Sequence, residues 1–255
     1  MHDDLAGRRV LVTGSSQGIG LAVACAFAAA GARVGLNARS APGGLDALLD
    51  GLGGGAAFFP GDLSRTADCE RVVEDCAARF GGLDILVNNA GALVGRVPLE
   101  EIDDAFYDAV GSVNCRSALM CTRSALPHLK RSAAETGQMA SVILVGSIAG
   151  STGGGPGAGL YGAAKAWLQN IQKNWVAFHT ADGIRFNTVS PGTVDTAFHA
   201  DKDAAARAAV SAGIPMGRFG RPEEIAPAFL FLASNAAAGY VTGQVIEVNG
   251  GQFMP

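Results

Sequence analysis

Arg8–Gly20 reads "RRVLVTGSSQGIG", and the order of its parts decides the fold. A short apolar run rich in valine ends in "TGSSQGIG", Thr13–Gly20, and an alanine-rich stretch follows, "GLAVACAFAAAGA". A strand that passes through glycines straight into a helix needs a tight turn. Gly14, Gly18 and Gly20 stand in a TGxxxGxG spacing. That differs from the GxGxxG dinucleotide fingerprint but meets a similar demand, a backbone that can approach a pyrophosphate closely and a helix packed tightly on its strand. The free N–H groups at the helix start, with the positive end of its dipole, favour an anion. A glycine-rich turn without a ligand has the same composition; the position after the first strand is what argues for a dinucleotide.

Further along, short apolar strands alternate with helical stretches. "RVGLNAR" and "AAFFPGDL" read as strands, and a helix follows from about Thr66 to Phe80. "LDILVNNAG" is a fourth strand, with a long helical region over roughly Asp103 to Arg131 after it. "SVILVGS", "IRFNTVSPG" and "QVIEVNGG" complete the strands, with helices from near Leu160 to about Ala181 and over "PEEIAPAFLFLAS". Strands that are apolar throughout, alternating with helices, predict a parallel sheet covered on both faces. Right-handed crossovers make it a doubly wound, seven-stranded α/β fold. No repeat or linker interrupts it, so residues 1–255 read as one domain.

Composition excludes several classes of function. The chain carries 19 Lys and Arg against 23 Asp and Glu, scattered without a basic run, so no nucleic-acid partner is expected. The uncharged run from Val10 to Ala32 is broken by Gly, Ser, Thr and Gln, which a membrane span would not tolerate. The opening "MHDDLAGRR" lacks the apolar core of a secretory signal. Five cysteines, Cys25, Cys69, Cys76, Cys115 and Cys121, show no metal-ligand spacing. They read as reduced thiols packed in the core of a cytoplasmic protein, and no metal is expected. His128, His179 and His199 have no partner at ligand spacing and read as surface or loop residues; Trp167 and Trp175 read as packing or subunit contact.

At this point the sequence resembles the short-chain dehydrogenase/reductase family over essentially its whole length. The motifs stand in family order: "TGSSQGIG"; Asp62 in "GDLS"; "NNAG", Asn88–Gly91; Asn114 in "VNC"; Ser147 in "VGSIAG"; "YGAAK", Tyr161–Lys165; "SPGTVDT", Ser190–Thr196; then "GRPEEIA" and "YVTGQVIEVNGG". The resemblance implies a Rossmann fold and an oxidoreductase that exchanges a carbonyl for an alcohol with a nicotinamide cofactor. It implies cofactor contacts at Gly14, Ser16, Gln17, Gly18, Ile19, Gly20, Asp62, Leu63, Asn89, Ala90, Gly91, Pro191, Gly192, Val194 and Thr196. It also implies a homotetramer, built on the long helices and the last strand and helped by the apolar tail "QFMP".

Tyr161 and Lys165 carry the chemistry. Reducing a carbonyl needs a proton on oxygen, and a tyrosine can bring it, although its ordinary pKa is near 10. A cation close by stabilises the phenolate that the reverse reaction requires. Positions i and i+4 of a helix share a face, so the spacing predicts that Lys165 tunes Tyr161. The resemblance adds that Lys165 binds the nicotinamide ribose, that Ser147 orients the substrate oxygen, and that Asn114 holds a water in a proton relay. Ser147 lies fourteen positions before Tyr161, where relatives often show thirteen; the loop "STGGGPGAG" can absorb one residue cheaply. Ser141 and Ser151 are the rival hydroxyls.

Cofactor choice rests on "GLNARSAPG". NAD-preferring enzymes usually place an acid at the end of the second strand to accept bonds from the ribose hydroxyls. Ala38 stands there, and Arg39 follows. An arginine can grip a 2′-phosphate with two charged hydrogen bonds. NADP(H) is expected over NAD(H), with Gln17 giving no further support. The substrate walls are expected at Leu93 and Val94, the Ser151–Leu160 loop, and Asp195–Met216, an alanine-rich lid within about residues 193–217. Lys130 and Arg131 could dock an acidic carrier protein, but Asp182 opposes that. A small ketone or secondary alcohol is therefore the expected substrate. An NAD-dependent dehydrogenase of a sugar, sterol or hydroxy acid is the alternative, and a silent dinucleotide sensor a further one.

Overall fold

The computed structural model describes residues 3–199 and 203–255. Seven strands are β1 (Arg9–Val12), β2 (Arg33–Ala38), β3 (Ala57–Pro60), β4 (Ile85–Asn88), β5 (Ala140–Val145), β6 (Ile184–Pro191) and β7 (Val245–Val248). They form one parallel sheet in the order β3-β2-β1-β4-β5-β6-β7. The helices are α1 (Gly18–Ala29), α2 (Leu45–Gly51), α3 (Thr66–Phe80), α4 (Asp104–Gly111), α5 (Ser117–Thr136), α6 (Ala149–Thr152), α7 (Gly159–His179), α8 (Ala204–Ala212), α9 (Pro222–Ala233) and α10 (Asn235–Ala238). This is the single-domain Rossmann architecture expected from the alternation.

The two faces of the sheet follow from the alternation of side chains along a strand. Val10 and Val12 of β1 pack with Val23 and Phe27 of α1 and Phe229 and Leu232 of α9. Leu11, between them, packs on the other face with Val72 and Cys76 of α3 and Leu129 of α5. Apolar residues three and four apart give α3 a buried stripe, and Gly81, at φ +77°, ends it in the left-handed conformation that a helix C-terminus favours.

Three short helices were not expected. None of the residues of α2 is buried, so it leaves little apolar periodicity to read, and α6 and α10 span one turn each. The long helix expected from Asp103 to Arg131 runs on to Thr136, and Ser112–Arg116 forms a π-helical turn between α4 and α5. Three cysteines, Cys69, Cys76 and Cys121, are core residues, and Cys115 is half-buried. Cys25 corrects the expectation for all five: it lies exposed on α1. Among the described residues no helix is long and apolar enough to cross a membrane.

Candidate active site

The strand order reverses between β1 and β4. In a doubly wound sheet the crevice at the carboxyl ends of the strands, at that reversal, is where a ligand can enter. A cleft of about 590 Å³ lies there, running from the glycine loop to Ser147 and Tyr161.

Two asparagines, Asn37 buried and Asn89 half-buried, hold the glycine loop. Asn37, on β2, accepts from the Gly14 N–H at 3.1 Å and donates to the Phe59 carbonyl at 3.0 Å. Asn89 donates to the Thr13 and Gly14 carbonyls, each at 2.8 Å, while the Thr13 hydroxyl accepts from the Asn89 and Ala90 N–H groups. Gly14 sits at φ +60°, and a Cβ there would lie 2.9 Å from the Ala90 Cα. At the start of α1, Gln17 makes no capping bond with its side chain, so the first N–H groups of the helix have no side-chain cap. This bare backbone cradle at a helix start fits the pyrophosphate of a dinucleotide. Gly14, Gln17, Gly18, Ile19, Gly20, Asn89, Gly91, Pro191, Gly192, Val194 and Thr196 all line the cleft.

Ser16, Arg39, Asp62, Leu63 and Ala90 fall outside that lining. Arg39 and Asp62 follow β2 and β3, which the Gly61 N–H joins by a bond to the Ala38 carbonyl at 2.9 Å. Asp62 accepts from the Ser64 hydroxyl and N–H. Ala90 serves as a brace for Thr13. Asn37 was missed by sequence reading. Its only signal was an amide inside an otherwise apolar strand.

Ser147, Tyr161 and Lys165 meet at the far end of the cleft, and Asn114 lies buried behind them, outside its lining. Ser147 follows β5, and Tyr161 and Lys165 lie one turn apart on α7. The Ser147 hydroxyl accepts from the Ala149 N–H at 3.1 Å and is hydrogen-bonded to Tyr161. The rivals are elsewhere: Ser141 is buried in β5, bonded to the Leu232 carbonyl, and Ser151 is exposed outside the cleft. In the loop between Ser147 and Tyr161, Gly153, Gly154 and Gly157 all have positive φ. Phe198, from the lid, packs on the Tyr161 ring at 5.7 Å between centroids.

Lys165 lies beside Tyr161, as the spacing predicts, and its hydrogen bond goes to a backbone carbonyl. Its Nζ donates to the Val145 carbonyl at 2.8 Å and lies 5.6 Å from the centre of the Tyr161 ring. Burial pushes the Tyr161 hydroxyl up to about 12, with the Ser147 bond pulling the other way, and pushes Lys165 down to about 8. Desolvation outweighs attraction, with Lys165 buried and Tyr161 half-buried at the cleft wall.

Asn114 lies in the π-helical turn, wholly buried. Its amide donates to the Ala92 and Val110 carbonyls and accepts from the Ala92 N–H. Only the second lone pair of Oδ1 is left for a water. A Cβ on Gly91 would lie 2.8 Å from Asn114 Oδ1 and 3.1 Å from Lys165 Nζ, so that glycine lets the two side chains share one space.

Of the expected substrate walls, Leu93 lines the cleft and Val94 does not. Val94 is half exposed, at φ +66°, a strained conformation for a β-branched residue. In the lid, α8 is tied back by an Arg207–Asp195 ion pair at 2.8 Å; residues 200–202 lie outside the described residues, as does the side chain of His199. Gln252 also lines the cleft and accepts from the Thr193 N–H and hydroxyl. His128 is paired with Glu74, and His179 with Asp182.

Comparison with known proteins agrees with this geometry. Residues 14–252 match the family model described as enoyl-(acyl carrier protein) reductase. The chain is 37% identical to cis-4-hydroxycyclohexanecarboxylate dehydrogenase of Sinomonas cyclohexanicum, over 98% of each chain. It is 39% identical to the rhamnolipids biosynthesis 3-oxoacyl-[acyl-carrier-protein] reductase of Pseudomonas aeruginosa, over 97% of this chain and 96% of that one. The crystal structure of NADH-dependent reductase A1-R′, responsible for alginate metabolism, superposes with a TM-score of 0.93 at 50% identity, covering 99% of this chain and all of that one. The chain belongs to the short-chain dehydrogenase/reductase family, within its 3-oxoacyl carrier-protein reductase-like branch, and is an oxidoreductase acting on CH–OH and carbonyl groups.

Proposed function

We propose that the protein interconverts a small ketone and its secondary alcohol, with Tyr161 as general acid and base and NADP(H) as the preferred cofactor. The observation that carries the reading is the meeting of Ser147, Tyr161 and Lys165 at the end of a cleft that begins at the glycine loop. NAD(P)H supplies the hydride when bound. The glycine loop and the start of α1 hold its pyrophosphate, Asp62 and Leu63 its adenine, and Pro191, Gly192, Val194 and Thr196 its nicotinamide end. Ser147 holds the substrate oxygen beside the Tyr161 hydroxyl, so that the proton moves over one hydrogen bond. A tyrosine raised to about 12 keeps its proton at neutral pH, the state needed for reduction. Lys165 binds the ribose and, while it keeps its proton below about pH 8, supplies a positive charge that favours phenolate in the oxidation direction. Asn114 fixes the Gly91–Ala92 segment against Lys165.

Arg39 supports the NADP(H) preference. It is exposed directly after β2, and among the described residues it makes no hydrogen bond or ion pair. The NADH-dependent neighbour at 50% identity supports the second reading, NAD(H). Titration of both reduced cofactors against the protein and against Arg39→Ala decides between them. NADPH should bind more tightly, and the substitution should cost about 1–3 kcal/mol of that preference; equal affinities in the unsubstituted protein end the NADP(H) reading. A carrier-protein substrate is disfavoured because Lys130 is paired with Asp182 at 2.7 Å and Arg131 is bonded to His128. We also place the protein in the cytoplasm as a homotetramer. Free thiols support the first, and β7, a half-buried edge strand, supports the second. Light scattering at micromolar concentration tests the assembly.

A further inference from the structure

The substrate half of the cleft holds one charged side chain that the chemistry above leaves unused. Arg96 lines the cleft together with Ser147 and Tyr161. Among the described residues, only two that line the cleft are charged, Arg96 and Lys165, and both are cations. Lys165 is buried and occupied with the Val145 carbonyl. Arg96 is exposed, in a chain whose net charge is −4.

Its backbone is held by Gly157. The Val97 N–H donates to the Gly157 carbonyl at 3.0 Å, and a Cβ on Gly157 would lie 3.0 Å from the Arg96 Cβ. The loop after "NNAG" is thereby stitched to the loop after Ser147. Two residues before Arg96, Val94 is the only non-glycine residue at positive φ among the described residues. Strain of this kind persists where the surroundings over-determine the backbone, and it is concentrated at functional sites. The guanidinium is held as well: Nη1 donates to the Pro156 carbonyl at 2.9 Å. Among the described residues Nε and Nη2 have no partner. Those two nitrogens form one edge of the guanidinium, the fork that matches the two oxygens of a carboxylate.

We propose that Arg96 selects a ketone or alcohol that carries a carboxylate, gripping the carboxylate through Nε and Nη2 while Ser147 and Tyr161 hold the reacting oxygen. The proposal rests on the oxidoreductase reading and names its substrate class. An arginine that served only to tie the two loops together would need one donor, which a neutral amide also provides.

The test uses ketones made in matched pairs, one member with a carboxylate and the other with the corresponding carboxamide; 4-oxocyclohexanecarboxylate and its carboxamide are the first pair. kcat/KM is measured for each with the unsubstituted protein, Arg96→Gln and Arg96→Lys. Glutamine keeps a donor for Pro156 without the charge. The carboxylate is expected to be favoured by on the order of 10–100-fold, the worth of a charged hydrogen bond. Arg96→Gln should reduce that ratio to near one, and Arg96→Lys should keep part of it. The preference should also weaken with added salt, because the group is exposed. Two results overturn the proposal: no carboxylate in the panel favoured over its carboxamide, or a ratio that Arg96→Gln leaves unchanged while both rates fall together. Carboxamide turnover that disappears in Tyr161→Phe would leave the oxidoreductase reading standing even then.

Discussion

Replacing Lys165 by methionine should stabilise the fold at neutral pH while it removes activity. Lys165 is 3% exposed, and burial lowers its pKa from 10.5 to about 8. That difference corresponds to about 3 kcal/mol of penalty on the charged form. Against it stands one charged hydrogen bond, to the Val145 carbonyl, worth about 2 kcal/mol. Methionine fills a similar volume without the charge, so the net gain near pH 7 is about 1 kcal/mol, or roughly 2–4 °C in a chain of this size. The sign with pH follows from linkage. Below pH 8 both folded and unfolded states carry the proton, and the whole penalty applies. Between about 8 and 10.5 the folded state has released its proton while the unfolded state keeps it, so the unsubstituted protein gains stability relative to Lys165→Met. Above 10.5 the penalty is gone and the variant is the less stable of the two. Thermal unfolding of both proteins from pH 7 to 10.5 measures this, with every other titrating group common to the pair. A stability difference that stays constant across that range would refute the reasoning.

Asn37→Leu should lower stability by about 2 kcal/mol, since it leaves the Gly14 N–H and the Phe59 carbonyl without their side-chain partner in a buried site. It should also weaken cofactor binding, read by fluorescence titration, because the glycine loop loses its clamp. Ser147→Ala removes the hydrogen bond that pulls the Tyr161 pKa down. Turnover should fall and the rise of alcohol oxidation with pH should move to higher pH, seen in a pH–rate profile, with cofactor affinity little changed.

The fold was legible because most strand residues are apolar and each major helix is long enough to show a period. β4 and β5 are buried at every residue, which is the pattern of a central parallel strand. The main residues of the site were legible because their spacing is local: Gly14 to Gly20 in one turn, and Tyr161 to Lys165 on one helix face. Interactions between distant segments were not. Asn37 looks like an ordinary strand residue until β2 is placed beside the glycine loop. Gln252 reaches the cleft only because the chain end folds over Thr193. Arg96 gains a role only when the loops after β4 and β5 are brought together. The surroundings of Tyr161 were not legible for a related reason. An i, i+4 spacing gives proximity, but it does not report that Lys165 is buried or that Val145 takes the lysine's hydrogen bond.

Turnover by Tyr161→Phe tests the central claim most directly. The phenyl ring keeps its packing against Phe198, so unfolding temperature and cofactor affinity should stay close to those of the unsubstituted protein. Followed at the nicotinamide absorbance on a ketone that the unsubstituted protein reduces, kcat should fall by about 10²–10⁴-fold, the usual contribution of a general acid. Near-normal kcat in a folded, cofactor-binding Tyr161→Phe protein would contradict the assignment and place the proton donor elsewhere.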